Sequence, residues 1–229
     1  MSTAPTILLV HGAWGDAGHW RHVIPLLHDG GHDVLAVQNP LTSLADDVER
    51  TSRLAAAQDG PVLLVGHSYG GSVISGAGHA PNVVGLVYVA AFAPDEGESL
   101  GSIFARRDPP PAAAIIRPDA DGFLWLAHDA FHDNFCQDLG AEEAFVLAVT
   151  QKPIHGRCFE DPAGPPAWRS LPSWYQVSTG DRAIPPATER ELAQRMDPRR
   201  TIELDASHAS LLSQPQAIAA LVDEAAGSL

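Results

Sequence analysis

The segment Gly66-His67-Ser68-Tyr69-Gly70-Gly71 contains the residue with the clearest chemical signature. A serine with glycines two positions before and two positions after it fits a sharp, strained turn that leads from a strand into a helix and exposes the hydroxyl group. The apolar run Val62 to Val65 precedes this segment, and a stretch with helical periodicity follows it. We therefore interpret Ser68 as a nucleophile rather than as an ordinary turn residue.

A serine nucleophile needs a base and an acid, and two later segments provide them. Ala206-Ser207-His208-Ala209 follows the last strand-like run, which places His208 as the base at the carboxyl edge of the predicted sheet. Ser178-Thr179-Gly180-Asp181 ends the preceding strand-like run, so Asp181 can accept a hydrogen bond from the imidazole and orient it. The order Ser, Asp, His along the chain is one of the known orders of such a triad. The alternatives for the acid are Asp95 and Asp205.

The same chemistry requires two backbone N–H groups that stabilise the developing oxyanion. The residue after the nucleophile, Tyr69, provides one of them. The loop His11-Gly12-Ala13-Trp14-Gly15 after the first strand-like run provides the other, and its position favours the amide of Ala13 over that of Trp14. The candidates for the substrate pocket are four aromatic side chains: Trp14, Phe92, Trp125 and Phe131.

Short apolar runs alternate with helical segments, which is typical of βαβ units around a parallel sheet. We predict an α/β fold with a mostly parallel sheet of about six strands and helices on both faces. The strand-like runs are Ile7 to Val10, Val34 to Val37, Val62 to Val65, Val83 to Val89, Trp174 to Val177 and Thr201 to Leu204. The helical segments are His19 to Leu27, Leu44 to Ala57, Gly70 to His79, Ala187 to Met196 and His208 or beyond to Ala226.

The alternation is interrupted from Pro94 to Pro172, where we find no strand-like run and prolines separate short helical pieces. The interval carries large aromatic side chains: Phe104, Phe123, Trp125, Phe131, Phe135, Phe145, Phe159 and Trp168. So much apolar surface is expected to pack onto the ligand edge of the sheet. We therefore predict that residues 94–172 are a helical cap, inserted after the fourth strand of a core made of residues 1–93 and 173–229. Whether each aromatic side chain lines a pocket or packs within the cap stays open.

The charge and composition exclude several classes of protein. The 28 acidic and 14 basic residues give a formal charge of −14, which disfavours nucleic acid and anionic membranes as partners and favours a neutral small-molecule substrate. Cys136 and Cys158 are expected to be free thiols. His128 and His132 lie four residues apart but lack a third ligand, so neither a metal nor a cofactor is expected.

The start of the chain predicts no leader, because Met1 to Thr6 is not basic and is followed by an apolar run of only four residues. No stretch reaches the roughly 18 apolar residues of a membrane span. We expect a cytoplasmic enzyme, whose oligomeric state the sequence does not indicate.

These motifs together resemble the small α/β-hydrolase carboxylesterases, a group with pyrethroid-hydrolase-like esterases and a plant methylesterase and hydroxynitrile lyase branch. The similarity spans nearly the whole chain and implies the α/β-hydrolase fold, a helical cap and ester hydrolysis. Hydroxynitrile lyases of that branch carry threonine and lysine where this chain has Gly12 and Ala209. We expect a serine hydrolase for a small to medium neutral carboxylic ester, lactone or thioester. The alternatives are a lyase or perhydrolase with the same triad, or a slow-turnover ligand receptor on the same fold.

Overall fold

The computed structural model describes residues 4–229, in which nine strands and ten α-helices follow one another. The strands are β1 (Thr6–Val10), β2 (Val34–Val37), β3 (Val62–His67), β4 (Val83–Val89), β5 (Ile116–Pro118), β6 (Phe123–Leu126), β7 (Ile154–His155), β8 (Ser173–Ser178) and β9 (Arg200–Leu204). The helices are α1 (Val23–Asp29), α2 (Leu44–Ala56), α3 (Tyr69–Ala77), α4 (Leu100–Phe104), α5 (His128–Phe135), α6 (Ala141–Thr150), α7 (Arg157–Glu160), α8 (Pro186–Met196), α9 (Ser210–Ser213) and α10 (Pro215–Gly227). Short 3₁₀ helices cover Ala17–Trp20, Pro111–Ile115 and Ala167–Arg169. The predicted absence of a leader rests partly on residues 1–3, which lie outside the described range.

Six strands form one parallel sheet in the order β2-β1-β3-β4-β8-β9, flanked by helices. Every strand-like run predicted from the sequence lies in one of these strands, and the predicted α/β fold is confirmed. Strands β3 and β8 are buried along their whole length, as expected for interior strands that helices cover on both faces. The chain passes from β1 outward to β2 and then returns to place β3 on the other side of β1. This reversal of strand order opens a crevice at the carboxyl ends of β1 and β3.

Two predicted helices differ from those observed. The segment His19 to Leu27 is divided into a 3₁₀ turn and α1, and the C-terminal segment is divided into α9 and α10. The second division falls at Pro215, which lacks an N–H group and therefore begins a new helix.

The interval between β4 and β8 contains helices α4 to α7, but it also contains a small antiparallel sheet in the order β5-β6-β7. The prediction that this interval holds no strand is wrong on this point. Its strands have two to four residues, which is too short for a period of two to be visible in the sequence. Gly122, with φ of 84°, allows the turn before β6.

Hydrogen bonds fix this interval to the loops at the carboxyl edge of the large sheet. The indole of Trp14 donates to the carbonyl of Leu124 at 3.0 Å, and His155 N donates to the carbonyl of Leu41 at 2.9 Å. The interval therefore covers the crevice at the strand-order reversal. No helix in residues 4–229 is long and apolar enough to cross a membrane.

Close packing between main-chain segments leaves no room for a side chain at Gly71. A Cβ atom on Gly71 would lie 2.2 Å from the carbonyl oxygen of Phe92, whereas a Cβ atom on Gly60 would meet no atom within 4 Å. We expect Gly71→Ala to lower the free energy of unfolding by about 1–3 kcal/mol, and Gly60→Ala to change it little. Urea unfolding of the two variants measures both values. Equal stability of the two variants would contradict this account of the packing.

Candidate active site

Ser68 lies at the turn between β3 and α3 in a backbone conformation that side chains rarely adopt, with φ of 55° and ψ of −123°. Two glycines make the turn possible. A Cβ atom on Gly66 would lie 2.6 Å from the carbonyl oxygen of Gly70, and one on Gly70 would lie 2.5 Å from that of Val10. The predicted strand-to-helix turn is present, and it directs the serine hydroxyl into the crevice.

The structure brings Ser68, His208 and Asp181 together in one chain of hydrogen bonds. His208 Nε2 lies 2.8 Å from Ser68 Oγ, and His208 Nδ1 lies 2.5 Å from Asp181 Oδ2. The other oxygen of Asp181 accepts hydrogen bonds from the amides of Ala183 at 2.6 Å and Ile184 at 2.7 Å. All three side chains are buried. Because the carboxylate only accepts, the imidazole presents its unprotonated Nε2 to the serine.

The two alternative acids lie elsewhere. Asp95 Oδ1 is 2.5 Å from the guanidinium of Arg169, and Asp205 is exposed after β9. Neither carboxylate forms a hydrogen bond with His208 among residues 4–229.

His67, which the sequence analysis did not single out, supports the base from behind. Its Nε2 donates to the carbonyl oxygen of His208 at 2.8 Å, and the two rings lie 4.8 Å apart. Burial lowers the pKa of His67 well below its ordinary value, so this ring is neutral. Phe135 also packs against the base, with its ring edge-on to that of His208 and the ring centroids 5.0 Å apart. The only sign of this role in the sequence is that a histidine directly precedes Ser68, and that alone does not predict a contact with His208.

Ala13 and Tyr69, the residues whose amides are the predicted oxyanion donors, both line the cavity above Ser68. Neither N–H group donates to an acceptor in the described part of the chain, so both are free to meet an oxyanion. The loop that carries Ala13 approaches the nucleophile very closely, since a Cβ atom on Gly12 would lie 2.6 Å from Ser68 Cβ.

Asp47 of α2 anchors the side chain of Tyr69. The phenol donates to Asp47 Oδ2 at 2.6 Å, and the amide of Leu41 donates to Oδ1 at 2.9 Å. Burial raises the pKa of Asp47 to about 6, in spite of these two donors, which act in the opposite direction.

A largely apolar cavity of about 420 Å³ opens over the Ser68 hydroxyl. Trp14 and Phe92, two of the predicted pocket residues, line it. The interval between β4 and β8 contributes most of the other walls: Gly101, Phe104, Ala105, Arg107, Pro109, Pro110, Ala112, Ala113, Ile116, Leu124 and Phe159.

The other two predicted pocket residues, Trp125 and Phe131, do not line this cavity. Successive side chains of a strand point to opposite faces, and in β6 it is Leu124 that faces the cavity, so Trp125 points away. Its indole donates to Asp119 Oδ2 at 3.0 Å. Phe131 is buried against Phe135, with ring centroids 4.8 Å apart, and so belongs to the packing behind His208.

The remaining polar candidates do not form a second site. Cys136 and Cys158 are buried free thiols. His132 Nε2 donates to the carbonyl of Leu139 at 3.0 Å, while His128 is exposed. In the part of the chain that the structure describes, no cluster of three or more His, Cys, Asp or Glu side chains has an arrangement suited to a metal ion.

Comparison with known proteins agrees with this architecture. Residues 7–221 match the alpha/beta hydrolase family, and the chain belongs to this family. A pyrethroid hydrolase from Sphingobium faniae has the same fold, with a TM-score of 0.83 over 97% of both chains at 22% identity.

Curated relatives include esterases from bacteria and plants. The carbendazim hydrolyzing esterase of a Nocardioides species is 32% identical over 165 residues, 66% of each chain. The pyrethroid hydrolase of Sphingobium wenxiniae is 28% identical over 95% of this chain and 86% of its own. Methylesterase 3 of Arabidopsis thaliana is 25% identical over 96% of this chain and 95% of its own. The predicted resemblance is confirmed, and these names bear out the predicted enzyme class, a carboxylic ester hydrolase.

The buried Asp47 makes the stability of the folded protein depend on pH. The pKa of Asp47 is about 6 in the folded state, above the ordinary 3.8 of the unfolded chain. Between these two pH values the folded state binds more protons than the unfolded state, so the free energy of unfolding falls as pH rises through this range. Asparagine can accept from Leu41 N, donate to the oxygen of Tyr69 and remain uncharged. We expect the unfolding free energy of Asp47→Asn, relative to the parent, to rise by about 2 kcal/mol from pH 4 to pH 7. Urea unfolding at several pH values measures this difference, and a constant difference would contradict the assignment.

Proposed function

We propose that the protein is a serine hydrolase that cleaves a small to medium neutral carboxylic ester, or a lactone or thioester, through an acyl-enzyme. The observation that carries the proposal is the continuous hydrogen-bonded chain from Ser68 through His208 to Asp181 at the floor of an apolar cavity. A serine hydroxyl with a buried imidazole acceptor and a free route to a ligand is suited to nucleophilic attack on a carbonyl carbon.

The reaction proceeds in two stages. Ser68 Oγ attacks the carbonyl carbon while His208 Nε2 takes the hydroxyl proton, and Asp181 stabilises the imidazolium without accepting that proton. The amides of Ala13 and Tyr69 stabilise the oxyanion. Collapse of the tetrahedral intermediate breaks the bond to the leaving alcohol, which receives the proton from His208 and departs. Water then attacks the acyl-enzyme with the same base, releasing the acid and restoring the serine.

The cavity supports a neutral, apolar substrate. Its walls are mainly aliphatic and aromatic, and the cationic lining residue, Arg107, is paired with Glu191 at 2.6 Å. The net charge of −14 also disfavours anionic ligands. A volume of about 420 Å³ fits a ligand of small to medium size.

The main alternative from a different class is a receptor that binds an ester and turns it over slowly. Sustained hydrolysis of a chromogenic ester after the first turnover supports the enzyme, whereas a single burst equal to the protein concentration supports the receptor. Product analysis with a cyanohydrin and with peroxide distinguishes the lyase and perhydrolase alternatives.

Substitutions in the triad test the assignment of roles. Ser68→Ala is expected to abolish turnover with little change in thermal stability, because only one hydroxyl group is lost. Asp181→Asn is expected to lower kcat by about 10⁴, because the imidazole then adopts the wrong tautomer. Asp95→Asn is the control and should keep kcat within about threefold. If Asp95→Asn had the larger effect, the acid would be wrongly assigned.

The aromatic walls of the cavity are expected to set the size of the substrate. Phe104→Ala and Phe159→Ala remove rings that line the cavity, so kcat/KM for a bulky ester should rise relative to that for a short ester by about tenfold. Trp125→Ala, a change outside the cavity, should leave this ratio unchanged. Thermal unfolding measured in parallel separates recognition from packing. Unchanged ratios in both phenylalanine variants would mean that these walls do not contact the substrate.

A further inference from the structure

A second carboxyl group lies directly beside the proposed acid of the triad. Glu189, in the first turn of α8, is completely buried, and its carboxyl group contacts that of Asp181. One oxygen, Oε2, accepts a hydrogen bond from the amide of Ser178 at 2.9 Å. The other oxygen, Oε1, meets no donor group in residues 4–229. The proposed mechanism uses Asp181 but not Glu189. It therefore does not explain why the two carboxyl groups are buried in contact with each other.

Two carboxyl groups in contact away from water cannot both be ionised, so one of them holds a proton. Burial, and then the charge of Asp181, raise the pKa of Glu189 well above its ordinary value. Only weak effects act in the opposite direction, namely the hydrogen bond from the Ser178 amide and then the charge of Arg190. Tyr175 of β8 is a neutral phenol, and Arg190 is exposed and engages Glu203.

The hydrogen bonds show which carboxyl group holds the proton. Asp181 accepts from three donors, namely the amides of Ala183 and Ile184 and Nδ1 of His208. Glu189 accepts from one donor only. Because hydrogen-bond donors stabilise the ionised form of a carboxyl group, Asp181 is the carboxylate and Glu189 is the acid. The oxygen of Glu189 without a donor is then the one that carries the hydrogen.

We propose that Glu189 is a positioning residue: its protonated carboxyl group donates a hydrogen bond to Asp181 and holds that carboxylate against His208. The proposal rests on the proposed Ser68-His208-Asp181 triad. It has two consequences. The base faces one negative charge instead of two, and Asp181 is fixed by hydrogen bonds from the loop, from the base and from α8.

The neutral state of Glu189 is tested by Glu189→Gln. An amide can accept from Ser178 N and donate to Asp181, so replacing a protonated carboxyl group changes no charge. We expect kcat within about threefold of the parent and the acid limb of the kcat/KM pH profile within about 0.2 pH units. If Glu189 were ionised, this variant would remove a negative charge near His208 and move the acid limb by about one unit to lower pH, which would overturn the proposal.

The positioning role is tested by Glu189→Leu, which has a similar size but no donor. Without that donor, the Asp181 carboxylate holds the imidazolium proton more strongly, so the acid limb is expected to move to higher pH by about 0.5 units or more, with kcat lowered about tenfold. Leu192→Ala, one turn further along α8 and also buried, is the matched control. It should lower the thermal midpoint without moving the acid limb.

The outcomes separate this inference from the proposed function. A Glu189→Leu enzyme that folds and keeps the pH profile and kcat of the parent would overturn the positioning role. Should that variant not fold, the acid limb of Glu189→Gln alone decides the protonation state on which the role depends. Asp181→Asn is measured alongside, because retention of its activity would reject the triad itself and not merely the role of Glu189.

Discussion

The close approach of main-chain atoms around Ser68 is the constraint on which the rest of the site depends. The serine has a positive φ, and the glycines on either side of it leave no room for a Cβ atom. The register that pairs Val10 with Gly66 places the end of β1 beside this turn. The oxyanion loop after β1 and the nucleophile after β3 are therefore positioned by the same backbone contacts. Because the contacts at Gly66 and Gly70 are with main-chain atoms, the sheet fixes where the backbone and the Cβ atom of Ser68 lie.

The base is held by contacts of two different kinds. His67 binds the main chain of His208, while Asp181 binds its ring, so the loop and the ring orientation are fixed separately. His67 also lies directly before the nucleophile, which couples the position of the base to the strained turn. Within residues 4–229, Nδ1 of His67 has no hydrogen-bond partner, and the apolar ring system of Trp20 lies edge-on to the His67 ring. Because His67 is buried and neutral, it holds the loop of the base without placing a charge beside the His208 ring.

The sequence was sufficient to predict the large sheet and the three residues of the candidate triad, because each follows a strand whose apolar run is visible. It was not sufficient for residues whose role depends on distant neighbours. Glu189 looks like an ordinary acidic residue in the first turn of a helix, where a carboxylate is favourable. Only the fold shows that it points inward to Asp181. The strand β6 was missed because four apolar residues in a row fit a short buried strand and a buried helical piece equally well. Without the strand, the alternation that turns Leu124 toward the cavity and Trp125 away from it could not be predicted.

The walls and the floor of the cavity are formed by different parts of the chain, so the walls can vary independently of the floor. The floor is made of backbone-fixed groups at the carboxyl ends of β1 and β3, whereas Phe104, Leu124 and Phe159 come from the interval between β4 and β8. That interval is attached to the core partly through main-chain groups, such as the carbonyl of Leu124, which accepts from the indole of Trp14, and the amide of His155, which donates to the carbonyl of Leu41. Such main-chain groups are present whatever the side chain is. The wall residues can therefore change in size without loss of these attachments, so the shape of the cavity can vary while the geometry of the hydrogen-bonded chain below it stays constant.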